Sequence, residues 1–160
     1  MFKVLYFQVL IFLLALTFPL SAVAERPMLI RLIGTTVANA PSPISVSQLE
    51  KMPQVEKVIF DPYLKKTIRY RGVPLKELVA RFARPETNTI RISAIDEYAV
   101  TFSREDLKSG AYLLATRKDG ELMTRAMSGP VKIVLQTEDP DNLFVQKWIW
   151  MINRIEFLTD

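Results

Sequence analysis

The stretch Thr89-Ile90-Arg91-Ile92-Ser93-Ala94-Ile95-Asp96-Glu97-Tyr98-Ala99-Val100-Thr101-Phe102 decides the fold class. Ile90, Ile92 and Ala94 recur at every second position, and so do Tyr98, Val100 and Phe102. A period of two sends successive side chains to opposite faces, so each run reads as a half-buried strand. Asp96-Glu97 makes a tight acidic turn between them.

Upstream, Leu29 to Ile33, ending at Gly34, is a predicted strand, and Ala38 to Pro43, with two prolines, is a loop. Val55 to Phe60 and Thr67 to Tyr70 are β-rich and joined through Asp61-Pro62-Tyr63, which predicts neighbouring strands, the second closed by Gly72. Pro74 suits a first helical position, and Leu75, Leu78, Val79 and Phe82 then recur at helical spacing. Two Ser-x-x-acid spacings, Ser47 to Glu50 and Ser103 to Asp106, read as helix starts in which hydroxyl and carboxylate satisfy each other's backbone donors. Pro53 stops the first of these helices.

Downstream, Tyr112 to Arg117 is a strand, Lys118-Asp119-Gly120-Glu121 a hairpin turn, and Val131 to Leu135 an apolar run suited to a central strand. After the acidic loop Glu138-Asp139-Pro140-Asp141, the segments Trp148 to Ile152 and Ile155 to Leu158 close the chain. Repeats, low-complexity runs and linkers are absent from the sequence. The pattern predicts one α+β domain over residues 25–160, a compact mixed sheet with short helices.

The chain has 160 residues, no cysteine and no histidine. Disulfides, thiolate or imidazole metal ligands and Ser/His or Cys/His nucleophile pairs are therefore excluded. Met1 to Lys3 is a cationic start, Val4 to Leu16 an apolar core interrupted by Gln8, and Pro19 with Ser21-Ala22-Val23-Ala24 a cleavage-type ending. Residues 1–24 thus read as a secretory signal, which implies a periplasmic protein that does not span the membrane after cleavage. A retained membrane anchor is the alternative, because the apolar stretch is almost long enough to cross a bilayer. Cleavage removes one basic residue, Lys3, from a net charge of +4. So mild a balance calls for no nucleic-acid partner.

Five segments together resemble the sulfite-oxidase-type molybdopterin-binding domain. They are Tyr70-Arg71-Gly72-Val73-Pro74-Leu75, Ala94-Ile95-Asp96-Glu97-Tyr98-Ala99-Val100, Leu113 to Gly120, Gly129-Pro130-Val131, and Trp148-Ile149-Trp150 with Arg154-Ile155-Glu156. No one of them is specific, but their order and spacing follow the family over nearly the whole of residues 25–160. The resemblance implies the family's fold. In the oxidoreductases of that fold a cysteine thiolate ligates molybdenum, and this chain has none, so the resemblance implies no molybdenum and no catalytic residue here. It points instead to small periplasmic members that bind a pterin without the metal. Such members act as partners of the periplasmic domain of a membrane-bound diguanylate cyclase or phosphodiesterase, and so belong to cyclic-di-GMP signalling.

A pterin is flat, with a donor and acceptor edge, and needs a stacking face and a carboxylate or carbonyl. Asp96 with Tyr98, Arg117, Arg125, Trp148 and Trp150 are the candidates, together with Ser128-Gly129, where a glycine allows close backbone approach. Each has a plainer alternative: a solvated turn for Asp96, core packing for the tryptophans, surface charge for the arginines, a simple turn for Gly129. Glu138, Asp139 and Asp141 lack the alternating spacing of a calcium loop and read as solvated. Lys65, Lys66, Arg69 and Arg71, near Tyr63 and Tyr70, read as a solvated strand face. Three classes stand: a non-enzymatic pterin sensor, a molybdopterin-dependent oxidoreductase or its subunit, and an interaction module with an empty pocket.

Overall fold

The computed structural model describes residues 28–136 and 145–159. The expected signal segment and the acidic loop Glu138 to Asp141 lie outside them. Two sheets hold the described chain. The first has the order β2 (Ile44–Ser45), β1 (Leu29–Gly34), β11 (Ile152–Leu158), β5 (Thr89–Ala94), β6 (Ala99–Phe102). β1 runs parallel to β11 and the other neighbours are antiparallel, so this sheet is mixed. The second is antiparallel: β10 (Ile149–Trp150), β9 (Lys132–Leu135), β7 (Tyr112–Lys118), β4 (Lys66–Pro74), β3 (Val55–Asp61), with β8 (Glu121–Leu122) also paired to β7. The expected compact mixed sheet is thus two sheets, and among the described residues strands dominate three short helices.

Side-chain pattern and position agree. β9 is buried at every residue and β7 over its first five, which suits strands flanked on both sides. β4 alternates, burying Ile68, Tyr70 and Gly72 while Lys66, Arg69 and Arg71 face solvent. The basic strip is therefore a solvated strand face, with Arg69 Nε 3.4 Å from Glu56. Gly72 does not end β4, which continues to Pro74. A Cβ on Gly72 would lie 2.1 Å from the Leu114 carbonyl oxygen, so the glycine permits the close β4–β7 approach where their register shifts.

Helix α1 (Val46–Leu49) begins two residues earlier than its sequence signal. Ser45 is the N-cap, paired in a capping box with Gln48. The reason is that Glu50, the expected capping carboxylate, is taken by Thr116 and Arg117 across the fold. Pro74 caps α2 (Leu75–Phe82) rather than opening it, and Leu75, Leu78 and Phe82 are buried as the spacing predicts. Helix α3 (Arg104–Ser109) carries the expected Ser103–Asp106 box and stops at Gly110, in the left-handed region at φ 69°.

The sheets meet at a seam. β10 belongs to the second sheet and β11 to the first, and the single residue between them, Met151, turns the chain at φ 55°. The Met151 carbonyl accepts from Ile95 N at 3.1 Å, which ties the β5–β6 turn to the crossing.

Candidate functional site

A pocket of about 260 Å³ opens at this seam, lined by Tyr63, Ala94, Asp96, Tyr98, Trp148 and Trp150. Ala94, Asp96 and Tyr98 come from the end of β5 and the β5–β6 turn; the tryptophans flank and end β10. The Asp96 carboxylate accepts from Tyr98 N at 3.2 Å, closing the turn, and remains exposed. The Tyr98 hydroxyl donates to the Gln146 carbonyl at 2.8 Å, so its ring spans from one sheet to the segment leading into the other.

The ring of Tyr63 stands edge-on to both indoles, 5.1 Å from Trp150 at 73° and 6.1 Å from Trp148 at 61°. The tryptophans thus share a face, as their spacing predicts. Trp148 is 1% exposed and belongs to the core, yet its indole Nε1 is buried with no acceptor among the described residues. Such a group calls for a partner. Tyr63 and Tyr98 are about half exposed and form the open side.

Beneath the indoles sits a buried charge system absent from the sequence expectations. Asp61 Oδ2 accepts from Lys132 Nζ and from the Tyr70 hydroxyl, each at 2.6 Å. Asp61 Oδ1 accepts from Tyr63 N and Leu64 N at 2.9 Å, so the same carboxylate shapes the β3–β4 turn and aims Tyr63 at the pocket. Lys132 Nζ lies 4.9 Å from the Trp148 ring centroid and 5.8 Å from that of Trp150, within cation–π reach. Burial pulls the Asp61 carboxyl upward, but the bonds from Lys132, Tyr70 and Leu64 outweigh it and hold the group below its ordinary value. Burial pulls the Lys132 ammonium below its ordinary range. Burial, then the bond to Asp61, keeps the Tyr70 phenol protonated well above its usual range. The pair is an ion pair under a wall of neutral aromatic rings.

The other expected ligand residues lie elsewhere. Arg117 and Arg125 line a larger cleft of about 660 Å³ beside α1 and the β7–β8 hairpin, with Val46, Leu122, Met123 and Pro130 among its walls. Its central charge is satisfied internally: Arg117 Nε is 2.6 Å from Glu50 Oε2, and Arg117 also donates to the Gly120 carbonyl at 3.0 Å. Ser128, at φ 63°, follows the 3-10 turn Arg125–Met127. The room made by Gly129 goes to the protein itself, since a Cβ there would meet Met123 at 2.5 Å. The expected set therefore divides, with Asp96, Tyr98, Trp148 and Trp150 together at the seam, and Arg117 and Arg125 in a different cleft with Ser128-Gly129 near its Pro130 wall. The larger cleft is mainly aliphatic; the seam pocket has the stacking faces and the exposed carboxylate.

Tyr63, Asp61 and Lys132 went unmarked by the sequence reading. The signal for Lys132 is a lone lysine inside the apolar run Val131 to Leu135, because a cation in a central strand is buried and must be paired. Tyr63, two residues beyond Asp61 in a turn, has no comparable local signal.

No protein-family model matches this sequence, and no curated protein matches it. Among solved structures, the chain is similar to the sulfane dehydrogenase SoxCD from Paracoccus pantotrophus, with a TM-score of 0.64 at 15% sequence identity. The match covers 83% of this chain and 38% of that one, so this protein spans well under half of the SoxCD chain it matches. The shared property is the fold, an α+β arrangement of the sulfite-oxidase type.

Proposed function

We propose that this chain is a non-catalytic binding protein for a pterin-class heterocycle, seated in the seam pocket. On this reading it is exported to the periplasm and passes its ligand state to the periplasmic domain of a membrane-bound cyclic-di-GMP enzyme. One observation carries the binding step: aromatic rings from both sheets and the Asp96 carboxylate converge on one pocket, where the buried Trp148 indole N–H lacks an acceptor among the described residues. Trp150 and Tyr98 supply stacking faces, and Asp96 supplies an acceptor for the amino edge of the ring. At about 260 Å³ the pocket lies just below the ~300–1,000 Å³ usual for drug-sized ligands, the scale of one bicyclic ring without a large tail.

The residues present do not fit molybdenum. The sequence holds no thiolate or imidazole donor, and among the described residues no three Asp or Glu side chains gather as a metal site.

The test is titration of the purified protein with a reduced pterin, read by quenching of tryptophan fluorescence. Saturable one-to-one quenching is expected. Trp150→Ala removes a stacking face worth about 1–3 kcal/mol and weakens binding by about tenfold or more, with the circular dichroism unchanged. Stoichiometric molybdenum in protein recovered from its native compartment, with turnover that follows it, overturns the reading in favour of the oxidoreductase alternative. The signalling step is checked by cellular cyclic-di-GMP, which Trp150→Ala should leave unresponsive to pterin.

A further inference from the structure

The outer face of the first sheet carries three arginines where an ordinary solvated face would alternate its charges. Arg31 on β1 stands directly opposite Arg154 on β11, and Arg154 stands opposite Ser93 on β5. Arg91, two residues from Ser93 along β5, points to the same face. With Ser93 these arginines line a cleft of about 360 Å³. Like charges placed directly across a sheet repel, so Arg31 beside Arg154 is a cost that sheet packing alone does not explain.

Nor is the charge cancelled locally. Glu97 lines the same cleft and Glu156 stands opposite Arg91, yet neither forms an ion pair with Arg31, Arg91 or Arg154 among the described residues. Arg154 is half-buried, and its Nε is buried without an acceptor among the described residues; its Nη2 donates to Ser93 Oγ at 3.2 Å. Ser93 is 2% exposed and, having accepted from Arg154, keeps its own hydroxyl proton to donate.

We infer that this cleft is an oxyanion-binding site, holding a phosphate or carboxylate group between Arg31, Arg91 and Arg154 with Ser93 as a further donor. Guanidinium is the side chain whose planar fork matches both anions, and three of them around one concavity offset their mutual repulsion only when an anion sits among them. The orphaned Nε of Arg154 is the donor such an anion satisfies. The site is independent of the pterin reading, although the β5–β6 turn walls both: Ile95 and Glu97 face this cleft, Asp96 and Tyr98 the seam pocket.

The experiment follows the arginine Nε–Hε resonances of the purified protein by NMR while sodium phosphate, and separately sodium succinate, replaces chloride at constant ionic strength. A saturable shift of the Arg154 resonance is expected. The exposed Arg31→Gln and Arg91→Gln variants should keep the wild-type melting temperature and lose affinity by about tenfold or more. A stronger response to phosphate assigns the ligand to phosphate groups, and a stronger response to succinate assigns it to carboxylates. Absence of a saturable shift with both anions, or an unchanged response in Arg31→Gln, overturns the proposal.

Discussion

At the residue scale the most consequential side chain is Lys132, 3% exposed and bonded to Asp61, which is fully buried. Such a pair adds little over an apolar substitute, but removing one member strands the other. Lys132→Met is expected to cost about 3–5 kcal/mol in urea unfolding, and combining it with Asp61→Asn, which removes the stranded charge, should cost less than the sum of the two. Tyr70→Phe leaves an Asp61 lone pair unfilled and should cost about 1–3 kcal/mol. The pH dependence follows from Asp61, held below its unfolded value by its hydrogen bonds despite burial, and from Asp106, likewise lowered against burial by Lys147 and Ser103. A carboxylate with a lowered folded pKa contributes stability above its unfolded value, near pH ~4, and loses it as pH falls through the folded value. The urea midpoint should therefore drop as pH falls below about 4, and less steeply in Asp61→Asn. Four of the six pocket residues are legible in the sequence: Asp96 and Tyr98 mark a strand turn, and Trp148 and Trp150 share a face by spacing. The rest is not, because Tyr63 comes from the distant β3–β4 turn and Lys132 from β9, and only the register of the second sheet brings the one beside the indoles and the other beneath them.

At the element scale, local chemistry carries most of the fold. The Ser103–Asp106 box, the β7–β8 turn with Asp119 and Gly120 at positive φ, and the apolar face of α2 are all readable from neighbouring residues. Ser103→Ala should cost about 1 kcal/mol by loss of the cap. Asp106→Ala should cost more, since that carboxylate also accepts from Lys147 at 2.5 Å and Tyr112 at 3.1 Å; thermal melts of the two variants give the ranking. Where local reading goes astray, a distant partner has intervened. Glu50 has the spacing of a capping acid, yet Arg117 and Thr116 claim it, and the helix start moves to Ser45 and Gln48. Gly72 looks like a strand end and instead admits the backbone of β7.

At the scale of the whole molecule, the seam is where the two sheets meet. The pocket takes its walls from both sheets, so a bound ring links them, and a ligand that binds only the folded form at a hundredfold excess over Kd stabilises by about 2.7 kcal/mol. The melting temperature should then rise by about 5–10 °C, and the rise should vanish in Trp150→Ala. The mixed first sheet is what no local pattern reveals, because it rests on the parallel pairing of β1 with β11, the two ends of the described chain. That pairing also governs when the molecule becomes competent. A chain emerging from a ribosome makes β1 early, can pair one edge of it with β2, and must hold the other edge open until the last strand is delivered, since contacts between the far ends of a polymer close late. The seam forms only then, so its pocket exists in finished molecules alone.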